Sequence, residues 1–229
     1  MIGIHKIETG AKKVHAMGYP VVLNLTGRRC IIVGGGRVAE RKAKRLIESG
    51  AAVTVIAPEA TENLQVWASE KKLLWRQQPY TKGCLKGAFL VFVAAASREV
   101  CAEAAQEART EGALLNDAVE PARSDFAVPA SVRRGDLLLT VSTGGGSPEL
   151  SRCIRQELEA FYPESFGAWL ERVASVRQEM KDRLCGSSAR QAFWRHAMDA
   201  RLLECVRNGQ LDHAEDELRN AVIGFGTES

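Results

Sequence analysis

The sequence predicts an α/β fold, a Rossmann-type doubly wound parallel sheet followed by a small β/α region and an α-helical C-terminal domain. Three observations carry this. A continuous apolar run, Cys30-Ile31-Ile32-Val33, stops on Gly34-Gly35-Gly36. From Val21 to Leu115, short β-rich runs alternate with helical spacings, and parallel strands need crossover helices to connect them. Beyond Ser147 the apolar spacing is helical throughout.

The Cys30–Val33 run has no polar alternation, as expected of a strand covered on both faces. Val38, Ala39, Ala43, Leu46 and Ile47 then recur at helical spacing up to Ser49, with Gly50 as the C′ stop. Val53–Ala57 reads as the next strand and Thr61–Lys71 as a helix with Leu64 and Trp67 on one face. Phe89–Ala94 is a third strand, Arg98–Thr110 a helix and Ala113–Leu115 a short strand. After Asn116 the pattern changes. Phe126–Pro129 and Leu137–Val141 read as two strands joined by Arg133-Arg134-Gly135-Asp136.

A second glycine cluster, Gly144-Gly145-Gly146, leads into Ser147-Pro148, an N-cap followed by proline at the first helical position. Leu150, Cys153, Ile154, Leu158 and Phe161 give that helix an apolar face. Two further segments carry Phe166, Trp169, Leu170, Val173, Val176 and Met180, then Phe193, Trp194, Ala197 and Leu202; a last one carries Leu211, Ala214, Leu218 and Val222. These aromatics read as core packing rather than a cofactor box.

Composition excludes several classes. With 229 residues, 45% hydrophobic, the chain has material for a core and is not disordered. A net charge of +3 without a dense basic block argues against a nucleic-acid partner. The six cysteines are scattered, with no C-x-x-C, which fits a reducing compartment. Met1–Met17 lacks an apolar leader core. The longest apolar run, Ala88–Ala96, falls well short of the ~20 residues that span a bilayer. A cytoplasmic protein off the membrane is expected. His5, His15, His196 and His213 are dispersed, so no metal site is expected from the sequence.

Gly34-x-Gly36-x-x-Ala39 matches the dinucleotide fingerprint, with strand before and helix after. Gly34 allows the tight turn, Gly36 lets the backbone approach a pyrophosphate, and Ala39 keeps helix and strand close. The pyrophosphate would meet the unpaired amides of the helix N-terminus. Glu59, 23 residues after Gly36, suits the adenosine ribose and disfavours a 2′-phosphate, which points to NAD; the other reading makes it a helix cap. Arg37 either pairs with a phosphate or faces solvent. The Ser142–Pro148 loop is a second anion site, suited to a substrate carboxylate, or a hinge.

Val33-Gly34-Gly35-Gly36-Arg37-Val38-Ala39-Glu40-Arg41-Lys42-Ala43, Val55-Ile56-Ala57-Pro58-Glu59, Asp125–Ala130 and Ser142–Pro148 together resemble the precorrin-2 dehydrogenases of sirohaem synthesis. The resemblance runs from about residue 18 to 160 and more loosely through the helical tail. It implies NAD-dependent oxidation of precorrin-2 to sirohydrochlorin, with ferrous iron insertion in some members, in a homodimer. The domains it implies are an extension at 1–17, an NAD-binding domain at 18–125, a dimerisation and substrate region at 126–161 and a helical domain at 162–229. Carried over by residue, NAD contacts fall on Gly34, Gly36, Arg37, Val38, Pro58 and Glu59, with Ala95 and Ala96 on the nicotinamide side. Tetrapyrrole contacts fall on Asn116, Thr143, Gly144 and Arg152. Arg123, Arg133, Arg134 and Arg155 add positive charge suited to a carboxylate-rich substrate, or form a solvated surface.

One departure stands out. The family pattern N-x-x-D-x-P is Asn116-Asp117-Ala118-Val119-Glu120-Pro121 here, which puts Val119 where the proposed acid/base aspartate belongs. Asp117 is the candidate replacement, because i and i+2 share a side about 7 Å apart in an extended segment. The alternative is that Asp117 only orders the loop. A displaced acid spares hydride transfer more than chelation, since the cofactor supplies most of the hydride chemistry. A protein that binds NAD and tetrapyrrole without turnover is the competing reading. A short-chain-type dehydrogenase is excluded by the lack of Tyr-x-x-x-Lys.

Overall fold

The computed structural model describes residues 18–183 and 186–225. The extension at 1–17 with His5 and His15, Cys185, residues 226–229 and the side chains of Met180 and Val222 lie outside the described residues. The chain divides into two compact units, one spanning Tyr19–Val128 and the other built on Pro129–Ser229.

The first unit runs β1 (Arg29–Val33), α1 (Arg37–Glu48), β2 (Ala52–Ile56), α2 (Glu62–Ser69), β3 (Leu74–Arg76), β4 (Leu90–Val93), α3 (Arg98–Thr110) and β5 (Leu114–Asp117). All pairings are parallel, in the order β3-β2-β1-β4-β5. The uninterrupted apolar strands are explained by burial on both sides. Ile31, Val33, Val91, Val93 and Leu115 pack with Leu85, Cys101, Ala104 and Ala108 under α3. Their alternates Cys30, Ile32, Val53, Val55, Leu90 and Phe92 pack with Ala39, Ala43, Leu46 and Leu64 under α1 and α2.

The β3 strand carries no strand pattern in the sequence. It has three residues, sits at the sheet edge with Leu74 exposed, and follows two lysines. Its signal is Trp75, whose indole N–H donates to the Ala57 carbonyl at 3.0 Å. Buried Glu107 on α3 satisfies the backbone of the long β3–β4 connection. Its carboxylate accepts from the Leu85 amide at 2.7 Å and the Tyr80 hydroxyl at 2.5 Å. Burial first, and the Glu107 hydrogen bond second, raise the Tyr80 phenol above its usual range.

The second unit holds the antiparallel pair β6 (Ala130–Arg134) and β7 (Leu137–Val141), then α4 (Pro148–Phe161), α5 (Ser165–Arg183), α6 (Ser187–Ala197), α7 (Ala200–Arg207) and α8 (Leu211–Phe225). Here the sequence expectation needs correction. Phe126–Pro129 is not a strand; the strand starts at Ala130, and Arg133 and Arg134 pair with Leu138 and Leu137 rather than forming the turn. The turn is Gly135-Asp136, with Gly135 at φ +55°. The physical reason is that Pro129 cannot donate to a ladder and Phe126 packs edge-on against Phe92 instead, at 5.6 Å between centroids. The segment read as continuous from Phe193 to Leu202 also breaks, because the Asp199 carboxylate caps a new helix at the Leu202 amide. Phe166, Trp169, Phe193, Leu202, Val206, Ala214 and Leu218 form the core of the helical part, as their spacing predicts.

The Cys30 thiol, fully buried at the start of β1, is pushed by burial from 9.0 up to about 11. The native state therefore keeps this proton where the unfolded chain has lost it. Its contribution to stability is intact below pH 9 and is lost as the pH rises toward 11. Urea midpoints measured across this window should fall with pH, and Cys30→Ala should make that fall shallower than in the parent chain, in which Tyr80 shifts in the same direction.

Candidate functional site

In the order β3-β2-β1-β4-β5 the chain winds one way from β1 to β2 and the other way from β4 to β5. The carboxyl ends of β1 and β4 are thus the switch point where an open α/β sheet binds ligands. The first glycine loop lies there. The Gly34 amide donates to Ile56 and the Ala94 amide to Val33, tying the ends of β1, β2 and β4 together. Gly34 has φ +120°, and a Cβ on it would stand 2.4 Å from the Ala94 carbonyl oxygen. Gly35, the unspecified position of the fingerprint, is the tightest: its Cβ would stand 2.0 Å from the Glu59 carbonyl oxygen. Gly36 differs. A Cβ there meets nothing within 4 Å, and Gly36 offers α1 no side-chain cap.

These features fit a dinucleotide. The open space at Gly36 and the uncapped amides of Arg37, Val38 and Ala39 are what a pyrophosphate at a helix N-terminus needs. Arg37 and Val38 are exposed on the first turn. Pro58 and Glu59 are exposed just past β2, and the Gly35 contact places the Glu59 backbone against the loop. The neighbouring turn is held by the Thr61 amide on the Gly35 carbonyl at 3.0 Å and by Asn63 donating to Glu40 of α1 at 2.9 Å. Ala95 and Ala96 follow β4, and the Ala95 carbonyl accepts from the Cys101 thiol at 3.4 Å. Burial raises that thiol, so Cys101 is a neutral packing group.

Lys42, from the distinctive end of the glycine motif, lies with its ammonium 4.9 Å from the Phe92 ring centroid. Burial first, and then Arg41 and Arg45, lower its pKa. It is a packing element of the α1 face of the sheet.

Asn116 and Asp117 close β5 and point to opposite faces. Asn116 donates from its amide to the Phe126 carbonyl at 2.9 Å, and Asp125 accepts from the Leu115 amide at the same distance. The Asp125-Phe126 motif thus secures the free edge of β5. Asp117 is 2% exposed; its Oδ1 accepts from both the Val119 and Glu120 amides at 2.9 Å, and its Oδ2 faces the Arg123 guanidinium at 3.5 Å. Residues 117–120 are therefore a side-chain-closed turn rather than an extended segment, and the i, i+2 relation to Val119 does not apply. Val119 is 40% exposed.

Thr143, Gly144 and Arg152 belong to the other unit. The Thr143 hydroxyl donates to the Ser147 carbonyl at 3.0 Å and accepts from the Ser147 amide at 3.1 Å, which closes the second loop. Gly144 and Gly145 have φ +61° and +84° with open space around them. Ser147 caps α4 at the Leu150 amide, as predicted. The arginines are less free than the sequence suggested. Arg152 pairs with Glu149 at 2.5 Å and Gln156 at 2.9 Å, and Arg155 with Glu159. Arg134 is buried: it donates to the Tyr162 and Glu159 carbonyls at the end of α4 and pairs with Glu164. It is a helix cap, not a substrate group.

Residues 21–130 match a family model described as "Putative NAD(P)-binding", and residues 165–222 match the sirohaem synthase dimerisation region. The sirohaem synthase of Nitrosococcus oceani is 36% identical over 205 residues, covering 90% of this chain and 44% of the relative. That of Photorhabdus laumondii is 35% identical over 199 residues, covering 87% and 42%. The chain thus spans less than half the length of these relatives. A solved structure of SirC, precorrin-2 dehydrogenase, superposes with a TM-score of 0.74 at 25% identity, over 90% of this chain and 100% of that one. No described helix is long and apolar enough to cross a membrane. The chain belongs to the family of the sirohaem synthases and precorrin-2 dehydrogenases.

The glycine geometry gives a paired expectation. Gly35→Ala should lose about 3 kcal/mol or more, because backbone rather than a flexible side chain stands in the way. Gly36→Ala should stay within about 1 kcal/mol of the parent, the usual range for an N-cap change. Urea unfolding of both variants measures the difference.

Proposed function

We propose that this member of the family is an NAD-dependent precorrin-2 dehydrogenase, forming sirohydrochlorin on the way to sirohaem. The observation that carries the reading is the superposition on the whole of a precorrin-2 dehydrogenase chain, with an open, uncapped glycine loop at the switch point. Bound NAD would accept a hydride from the tetrapyrrole. The amides after Gly36, with Arg37 and Val38, hold its pyrophosphate. Glu59, carried beside the loop by the Gly35 contact, accepts from the ribose hydroxyls and repels a 2′-phosphate, so NAD is preferred over NADP. Ala95 and Ala96 leave room for the nicotinamide. Asn116, Gly144 and the ion-paired Arg152 are the tetrapyrrole contacts in this reading, and Thr143 shapes the loop that presents the Gly144 and Gly145 amides to a carboxylate.

Asp117 enters as a positioning residue. Its Oδ1 holds the Val119 and Glu120 amides and its Oδ2 faces the Arg123 guanidinium, so in this reading the proton lost in dehydrogenation goes to solvent. Iron insertion needs a base at the pyrrole nitrogens, and Val119 supplies none. Dehydrogenation therefore outlasts chelation in this chain. A homodimer agrees with the match to a dimerisation region and with α4, which leaves Leu150 and Phe161 each 51% exposed.

The deciding assay incubates the purified chain with precorrin-2 and NAD, with and without ferrous iron. NADH and the sirohydrochlorin spectrum should appear in both arms, with chelation slow; binding of both ligands without NADH would establish the non-catalytic alternative. Asp117→Asn should keep turnover within about tenfold and leave the pH profile unchanged. A loss of about 10²-fold or more would instead identify a direct acid/base.

Glu59→Ala should raise the KM for NAD and narrow the preference over NADP. Equal KM values before and after the change would remove Glu59 from cofactor selection.

A further inference from the structure

The sequence holds no recognisable metal spacing, yet α7 and α8 bring together a thiol, an imidazole and a carboxylate. Cys205 lies near the end of α7, and His213 and Glu217 are four apart on α8, hence on one face. The Gln210 amide donates to the Cys205 carbonyl and Gly209 takes φ +75°, so the turn folds α8 back beside α7. One donor atom from each of the three side chains lies within 4.8 Å of the other two, and His213 Nε2 is 3.6 Å from Glu217 Oε1. Metal–ligand bonds of about 2.0–2.3 Å in a tetrahedron separate ligands by about 3.3–3.8 Å. The imidazole and carboxylate are already at that separation.

We propose that Cys205, His213 and Glu217 form a three-ligand site for a divalent ion of the zinc and ferrous class, clamping α7 to α8. A thiolate with an imidazole selects this class over magnesium or calcium. Cys205 packs against the helical core, whereas His213 is exposed, so the ion enters from the His213 side and retains a solvent-derived fourth ligand. Arg201 donates to Glu217 Oε1 at 2.9 Å and serves as the orienting partner of the carboxylate. Among the described residues no other His/Cys/Asp/Glu group is so assembled. The inference is independent of the dehydrogenase reading, because it concerns metal binding by the resting protein.

The test uses the full chain, stripped with chelator and titrated with zinc against a chromophoric competitor, then with cobalt as a spectroscopic probe. The expected result is one ion per chain, tetrahedral cobalt bands with a thiolate charge-transfer band, and a zinc-dependent rise in Tm. Cys205→Ser should abolish the charge-transfer band. His213→Gln, at an exposed position that leaves the core intact, and Glu217→Gln should each weaken zinc binding about tenfold or more; Arg201→Ala should also weaken it by about tenfold. No zinc binding above background would overturn the proposal. So would binding that is unchanged in Cys205→Ser and His213→Gln, since the ion would then sit on other cysteines or histidines.

Discussion

At the end of β1 the backbone passes between two neighbouring backbones with no room for a side chain on either side. A Cβ on Gly34 would enter the Ala94 carbonyl, and one on Gly35 would enter the Glu59 carbonyl. This double contact fixes three strand ends relative to one another, and the rest of the first unit depends on it. It sets the start of α1, so that the first amides of that helix open at the switch point. It also brings the chain after β2 close enough for Glu59 to border the loop. The geometry of the loop therefore rests on a steric condition that involves no ligand atom. Gly36, the one glycine of the three with open space beside it, is free for recognition because the other two carry the packing.

Much of this was legible in the sequence. Uninterrupted apolar runs announced strands covered on both faces, and Gly34-x-Gly36-x-x-Ala39 announced the loop. The Ser147-Pro148 cap also appears as expected. What stayed hidden depends on partners distant in the chain. The β3 strand exists because Trp75 reaches Ala57, and no local pattern records that hydrogen bond. Phe126–Pro129 has the composition of a strand, but Phe126 is drawn to Phe92 and the proline withholds a donor. Arg134 looks like surface charge until the end of α4, some twenty-five residues later, presents its carbonyls to it. Cys205, His213 and Glu217 become neighbours only through the tight α7–α8 turn.

The end of β5 shows how one short segment meets two demands. Its outer edge is closed by Asp125 and Asn116, which pin the chain leaving the sheet. On the opposite face Asp117 folds the next three residues around its own carboxylate, with Ser124 donating its hydroxyl to the Asp117 carbonyl and accepting from the Asp117 amide. A buried carboxylate with two amide donors and a guanidinium beside it holds the surrounding backbone in one conformation. Such a group is committed to ordering its own turn.

The two activities weighed in the proposed reading make different demands on the protein. Hydride transfer asks the protein mainly to hold a dinucleotide and an acceptor carbon in register, which backbone amides and small residues accomplish. Insertion of a metal into a tetrapyrrole asks for a base that gives up its contacts at the right moment. On the proposed reading, the open space at Gly36 and the uncapped start of α1 serve the first task. Around Val119 the chain forms a closed turn held by Asp117, and on the proposed reading it is iron insertion, not the hydride step, that lacks a carboxylate there.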